Sequence, residues 1–149
     1  MKLPEPLEKS LKSQMTSAQE IGYPVDIAHR NLKSAQEVSD SMVAFTIAYN
    51  AAVALSTVVL RACGYRTIGE GHHETLFESL KYLFPKDGET YAALFSQCRR
   101  MRNKATYVEP IIVTATQVEK LIKAIREFEA AVLALLKKVH PQFVPKSKS

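Results

Sequence analysis

The stretch MVAFTIAYNAAVALSTVVL, residues 42–60, decides the fold that the sequence predicts. It runs for 19 residues without a formal charge. At about 1.5 Å per residue its length approaches the thickness of a bilayer's hydrocarbon core. However, polar residues interrupt it, five of its residues are alanine, and Arg61 and Arg66 follow on one side only. Helices that are apolar all round are buried in membranes or in protein cores, and these features favour the central helix of a soluble protein.

Helical periodicity continues on both sides of this stretch. Apolar residues recur at steps of three and four between the proline and glycine residues that mark breaks, which predicts an all-α protein. We expect helices within 4–20, ended by Gly22 and Pro24; at 26–38, capped by Asp26; at 41–63, capped by Asp40; at 76–84; and from about 89 to before Pro110. The second and third of these are expected to be nearly continuous.

The last predicted helix has the clearest pattern. Thr116 and Glu119 are expected to form its capping box. Its apolar residues alternate steps of three and four, which predicts a seam against a neighbouring helix: Val118, Leu121, Ile125, Phe128, Val132, Leu135 and Val139. Pro141 is expected to end the helix.

Length and composition predict a single domain without disulfide or metal staples. The chain has 149 residues, which is enough to bury a core. We expect an N-terminal segment with a short helix at residues 1–24, a helical domain at 25–140 and a disordered basic tail at 141–149. Cys63 and Cys98 lack the spacing of a zinc site, so buried thiols in a reducing cytosol are expected. The N-terminus lacks the apolar core of a signal peptide, which also favours a cytoplasmic protein.

The sequence RRMRNKATY, residues 99–107, is the strongest functional signal. It concentrates four cations, an amide and a phenol within about two and a half helical turns. Arginine offers phosphate two parallel donors, and the net charge of +5 favours a polyanionic partner. Arg99, Asn103 and Tyr107 follow one stripe, with Arg102 one step round. Two interpretations remain open: a phosphate-binding surface, or a solvated helix end whose cations complement the helix dipole.

Histidine and tyrosine residues supply further candidates. His72 and His73 are adjacent, which does not suit chelation, so we expect no metal site and no cofactor. One of them is expected to cap the helix near Leu76 or to hydrogen-bond towards the central helix. Alternatively, His73 could act as a base if its loop folds towards the arginines. Tyr49 and Asn50 interrupt the apolar helix, and if buried each needs a hydrogen-bond partner across the core or a dimer.

Four motifs occur in order along the chain: Ala48-Tyr49-Asn50-Ala51-Ala52, Gly64-Tyr65-Arg66, Gly71-His72-His73 and Arg102-Asn103-Lys104-Ala105-Thr106-Tyr107. In these motifs, across about residues 26–136, the chain resembles the HEPN superfamily of small helical proteins. The resemblance implies an up-and-down bundle of four to five main helices. It also implies a two-fold homodimer that pairs through the long apolar helix and the helix bearing Arg102.

Many HEPN proteins are metal-independent ribonucleases or toxins in which two arginine-polar-x-x-x-histidine motifs line a shared basic cleft. By this resemblance Arg102 and Asn103 match the arginine and the polar residue, and Tyr107 stands where the catalytic histidine would be. A phenol with a pKa near 10 is a poor base at neutral pH. The resemblance implies catalytic roles for these three residues and RNA or phosphate contacts for Arg99, Arg100, Lys104 and His73.

Two functions therefore remain open. The first is a dimeric protein that binds RNA or a nucleotide in a basic inter-subunit cleft, either with or without metal-independent endoribonuclease activity. By resemblance it would belong to a toxin–antitoxin or phage-defence setting, with an antitoxin or a nucleotidyltransferase that modifies Tyr107 as partner. The second is a non-catalytic protein-interaction module that uses the seam of the last helix. No membrane association is expected in either case.

Overall fold

The computed structural model describes residues 3–68, 72–84, 86–107 and 112–145, with only the backbone described for 105–107. These residues form an all-α bundle, as predicted, with one small antiparallel sheet. Its elements are α1 (Glu5–Glu8), β1 (Leu11–Ser13), α2 (Ala18–Glu37), α3 (Ser41–Ala62), β2 (Tyr65–Thr67), α4 (His73–Leu83), α5 (Gly88–Tyr107), α6 (Ala115–Val139) and a 3-10 turn (Pro141–Phe143).

The uncharged helix α3 lies at the centre of the bundle. Asp40 caps it as predicted, because its Oδ1 accepts a hydrogen bond from the Val43 amide at 3.0 Å. α3 packs against α2, α4, α5 and α6. By length and composition it could cross a membrane, but most of its apolar stretch is buried among the other helices. This burial is typical of the core helix of a soluble protein.

α2 begins before the predicted break and passes through it. Its N-cap is Ser17, whose side chain accepts a hydrogen bond from the Glu20 amide at 3.2 Å. The predicted break at Gly22 and Pro24 and the predicted cap at Asp26 are therefore wrong. A proline inside a helix leaves the carbonyl four residues earlier without its donor. That carbonyl belongs to Glu20, and it accepts a hydrogen bond from Arg61 Nη1 at 2.7 Å.

α2 and α3 are not nearly continuous, because the chain reverses over residues 38–40. Arg61 lies near the end of α3 and Glu20 lies in the first turn of α2. Their contact shows that the two helices are antiparallel neighbours. The expected division of the chain after residue 24 falls inside α2.

The N-terminal segment contains a strand where a single helix was expected. After α1, β1 pairs with β2 in the register Leu11↔Thr67, Lys12↔Arg66 and Ser13↔Tyr65. We call this pair of strands the β-ribbon. Leu7 and Leu11 are buried, whereas Met15 is 90% exposed, because β1 takes the place of the expected helix.

α6 follows its predicted seam for most of its length. Its capping box is formed by Thr114 and Gln117, so the prediction of Thr116 and Glu119 is wrong. Near the end Leu136 is fully buried and Val139 is exposed, because a straight helix drifts away from a 3.5-residue repeat. The predicted disorder from residue 141 is wrong through residue 145: the 3-10 turn follows α6, and Phe143 and Val144 pack against the core.

α4 and α5 match their predictions closely. The turn between them contains Asp87 at a φ of 62°. At Gly88 an added Cβ would lie 2.2 Å from the Leu80 carbonyl oxygen, so only glycine fits there. Cys98 on α5 is buried, and burial raises its pKa to about 11. Cys63 is only half-buried, so the prediction of two buried thiols holds fully for Cys98 alone.

Candidate anion-binding site

A pocket of about 650 Å³ lies between α3, α4, α5 and the β-ribbon. We call it the basic pocket. Its lining includes five cationic side chains, two histidines and an asparagine, all able to donate hydrogen bonds to an anion: Lys12, Arg61, Arg66, Arg99, Arg102, His72, His73 and Asn103. Three residues with hydroxyl groups, Thr57, Tyr65 and Thr67, also line it. None of its lining residues in the described part of the chain is acidic. The arrangement therefore concentrates positive charge in a concave site that a few apolar side chains also line.

α5 supplies one wall of the pocket. Arg99, Arg102 and Asn103 are spaced at i, i+3 and i+4, so they share one helix face, and all three line the pocket. Arg100 and Lys104 are exposed and are not among the lining residues. The side chain of Tyr107 lies outside the described residues. The structure thus brings His73, Arg99, Arg102 and Asn103 together and leaves Arg100 and Lys104 outside the pocket.

The opposite wall comes from the β-ribbon and the end of α3, which sequence analysis did not assign to the site. Lys12 lies directly opposite Arg66 in the strand register. Arg66 forms an ion pair with Glu20, and Arg61 donates to the backbone carbonyl of the same residue. Arg66 belongs to the Gly64-Tyr65-Arg66 motif, which is visible in the sequence. Lys12 reaches the site only because β1 pairs with β2, and the sequence around Lys12 does not indicate that pairing.

Tyr49 connects the core of α3 to the pocket. Its hydroxyl lies 2.7 Å from His73 Nδ1, which confirms that one of the two histidines bonds towards the central helix. The Arg102 guanidinium carbon lies 5.3 Å from the centre of the Tyr49 ring, a cation–π arrangement. Tyr49 is fully buried, whereas Asn50 is exposed, so the need for a partner across the core applies to Tyr49 alone.

The protonation equilibria of Tyr49 and His73 reflect this position. Burial raises the pKa of the Tyr49 phenol, although the nearby charges of Arg102 and Arg99 oppose the rise. Burial also lowers the pKa of His73, and the positive charges of Arg102 and Arg99 lower it further. Both side chains are therefore neutral at pH 7.

Two carboxylates border the pocket. Glu20 pairs with Arg66, and Glu74, whose side chain is well exposed, lies 3.9 Å from Arg99. Within the described residues, no group of three His, Cys, Asp or Glu side chains is arranged to hold a metal ion. The side chains that line the pocket offer hydrogen bonds and positive charge to a ligand.

No protein-family model matches the chain, and no curated protein or solved structure is detectably similar to it. The side chains of the basic pocket are therefore the main indication of function in this chain.

Proposed function

We propose that this protein binds RNA or a nucleotide through phosphate groups in the basic pocket. The supporting observation is the composition of its wall, in which five cations and two histidines surround one cavity and no described lining residue is acidic. Crowded cations repel one another and destabilise the folded chain, so their concentration favours a function for the charge. Phosphate is the anion that arginine binds with two parallel hydrogen bonds.

The proposal includes a HEPN-like identity and a cytoplasmic location. Each of the four motifs that support the resemblance contributes a residue that lines the pocket or contacts its lining: Tyr49, Arg66, His73 and Arg102. This convergence of motifs distant in sequence supports the proposal. A homodimer in which two such pockets adjoin, and an antitoxin or nucleotidyltransferase partner, belong to the same proposal.

Binding, rather than cleavage, is the function that these side chains support best. The described residues of the pocket supply donors and positive charge, which hold phosphate, but the position of the expected catalytic histidine is Tyr107. Metal-independent endoribonuclease activity is therefore the additional step that an experiment has to test.

The test compares wild-type protein with Arg102→Ala. Fluorescence anisotropy with a short labelled single-stranded RNA is expected to give at least about tenfold weaker binding for Arg102→Ala, since hydrogen bonds to charged groups contribute about 1.5–3 kcal/mol. Arg30→Ala is the matched control, because this substitution removes the same charge. Arg30 is an exposed residue of α2 and is paired with Asp26. Its affinity is expected to stay within about twofold of wild type.

Incubation of the same RNA with EDTA completes the experiment. Cleavage in EDTA that Arg102→Ala abolishes would add ribonuclease activity to the proposal. Binding without cleavage would leave a nucleic-acid or nucleotide-binding protein. If wild-type protein neither binds nor cleaves RNA and does not bind nucleotides, the proposal fails, and the protein-interaction module becomes the better hypothesis.

A further inference from the structure

The buried hydroxyl of Tyr49 fixes the tautomer of His73. Tyr49 is fully buried, so its O–H group needs an acceptor. His73 Nδ1, at 2.7 Å, is the acceptor that the described residues provide, and the nearby Arg102 can only donate. Tyr49 therefore donates to Nδ1. In a neutral imidazole whose Nδ1 accepts a hydrogen bond, Nε2 carries the proton.

His73 consequently presents a neutral N–H donor to the basic pocket. Its ring lines the pocket, and among the described residues its only hydrogen bond is the one from Tyr49. The surrounding groups that disfavour protonation are Arg99 and Arg102 on α5 and His72 beside it. At neutral pH His73 is thus not the base that would replace a missing histidine, because its outward nitrogen is already protonated.

The two walls of the pocket suit an anion with more than one charge on a single group. On one wall Arg99, Arg102 and Asn103 share a helix face. On the other, Lys12 is directly opposite Arg66, so two cations stand at opposed strand positions, of which Arg66 is paired with Glu20. Lys12 has no carboxylate partner among the described residues. An internal phosphodiester carries one charge and two free oxygens, whereas a phosphomonoester carries about −1.5 to −2 at pH 7 and three acceptor oxygens.

We propose that the basic pocket is a site for a terminal phosphate group, a phosphomonoester, which accepts a hydrogen bond from Nε2–H of His73 and lies between the α5 wall and the β-ribbon wall. This inference rests on the proposed function and narrows it from phosphate in general to the end of a nucleotide or of an RNA strand. The volume of about 650 Å³ is that of a small-ligand site. Tyr49 acts as a positioning residue, because it orients His73 without reaching the ligand.

The first experiment compares matched ligands that differ only in the terminal phosphate. Isothermal titration calorimetry is run with AMP and adenosine, and with one RNA prepared with hydroxyl ends, with a 5′-phosphate and with a 3′-phosphate. At least about tenfold tighter binding of AMP over adenosine, or of either phosphorylated RNA over the hydroxyl form, supports the inference and identifies the source of the phosphate. If AMP binds no more tightly than adenosine and the three RNA forms bind equally, the inference is overturned, while binding of the hydroxyl-ended RNA leaves the proposed function intact. Absence of binding to every RNA and nucleotide would overturn both.

The second experiment tests the role of His73 and Tyr49. His73→Phe keeps ring contacts with Tyr49 and Phe77 but removes the donor, so the affinity for the preferred phosphorylated ligand is expected to fall about tenfold. His73→Gln, which retains an N–H donor, is expected to recover part of this loss. His29→Phe, at an exposed histidine of α2, is the control and is expected to bind normally. Circular dichroism confirms that each variant is folded.

The tautomer itself is visible in the imidazole ¹⁵N chemical shifts of His73. Wild-type protein is expected to show protonated Nε2 and unprotonated Nδ1 at pH 7.5, and Tyr49→Phe is expected to shift them towards a mixture of tautomers. A wild-type ring with its proton on Nδ1, or His73→Phe with unchanged affinity for the phosphorylated ligand, would overturn the assignment of His73 as a donor.

Discussion

Tyr49 places a phenol inside an uncharged helix, and the hydroxyl of that phenol is paired with a histidine 24 residues away. Sequence reasoning could anticipate the pairing, because a buried polar group must find a partner. It could not choose between Tyr49 and Asn50. Neighbouring residues on a helix point about 100° apart, and the packing of α4 and α5 decides which of them faces the core.

The depressed pKa of His73 predicts that the protein loses stability as the solution becomes acidic. The unfolded chain takes up a proton at His73 at about pH 6.5, while the folded chain does so only at lower pH. The free energy of unfolding should therefore start to fall as pH drops through about 6.5 and level off below the folded-state pKa. Urea denaturation between about pH 7.5 and pH 5 measures this dependence.

His73→Gln serves as the comparison, because glutamine does not titrate in this range. Its stability should depend less steeply on pH than that of wild type. A slope identical to that of wild type would contradict the depressed pKa of His73.

The cations of α5 show which part of the site can be predicted from individual residues. Helical periodicity separates Arg99, Arg102 and Asn103 from Arg100 and Lys104, and the structure has the first three in the pocket and the other two exposed. Periodicity alone does not say which of the two faces meets a cavity. That choice depends on Tyr49 and on the β-ribbon, which approach only one side of α5.

At the scale of elements, the β-ribbon is the feature that the sequence concealed. β1 and β2 are three residues long and are separated by two helices in the chain, so neither gives a run of alternating polarity long enough to detect. The spacing of apolar residues within 4–20 favoured a helix there instead. Only tertiary pairing with β2 makes the chain extended there, and the same pairing brings Lys12 beside Arg66.

Lys12→Thr is predicted to separate stability from binding. Lys12 opposes a like charge, so its removal should leave the free energy of unfolding unchanged or raise it by up to about 0.5 kcal/mol. The affinity for RNA or nucleotide should fall, because a cation of the pocket is lost. Chemical denaturation and ligand titration measure the two effects. A clear loss of stability, or unchanged affinity, would contradict the functional role of Lys12. Lys33→Ala, at an exposed lysine of α2, is the charge-matched control.

The course of α2 was partly available from the sequence. Ser17 and Glu20 have the spacing of a capping signature that precedes the true start of the helix. Pro24 concealed it, because proline usually breaks a helix. The helix continues through Pro24 because Arg61, 37 positions later in the chain, donates a hydrogen bond to the Glu20 carbonyl that Pro24 leaves without a donor.

A double-mutant cycle tests this compensation. Arg61→Ala removes the donor to the Glu20 carbonyl and is expected to lower the free energy of unfolding by about 1–3 kcal/mol. In a Pro24→Ala background the loss should be smaller, because the amide of residue 24 can then bond to that carbonyl within α2. Denaturation of all four proteins gives the coupling energy, expected at about 0.5 kcal/mol or more. Strictly additive effects would contradict the compensation.

At the scale of the whole molecule, the sequence predicted the bundle well and the site only in part. Helix positions follow from the local periodicity of apolar residues, which is visible in a single sequence. The basic pocket draws on β1, α3, β2, α4 and α5, and its shape depends on how these elements meet. The resemblance implies a cleft between two subunits, whereas this pocket is formed within a single chain.

The stoichiometry of binding distinguishes these two arrangements. If the basic pocket of one chain is sufficient, calorimetry should give about one AMP per chain, and the affinity should not change when the protein is diluted through any dimer–monomer transition. If two copies of Arg102 share one ligand across a symmetric cleft, the ratio should be about one ligand per two chains, and dilution should weaken binding. Analytical ultracentrifugation at the same concentrations reports the oligomeric state. We expect one ligand per chain, because Lys12 and Arg66 already complete the cavity opposite Arg99 and Arg102.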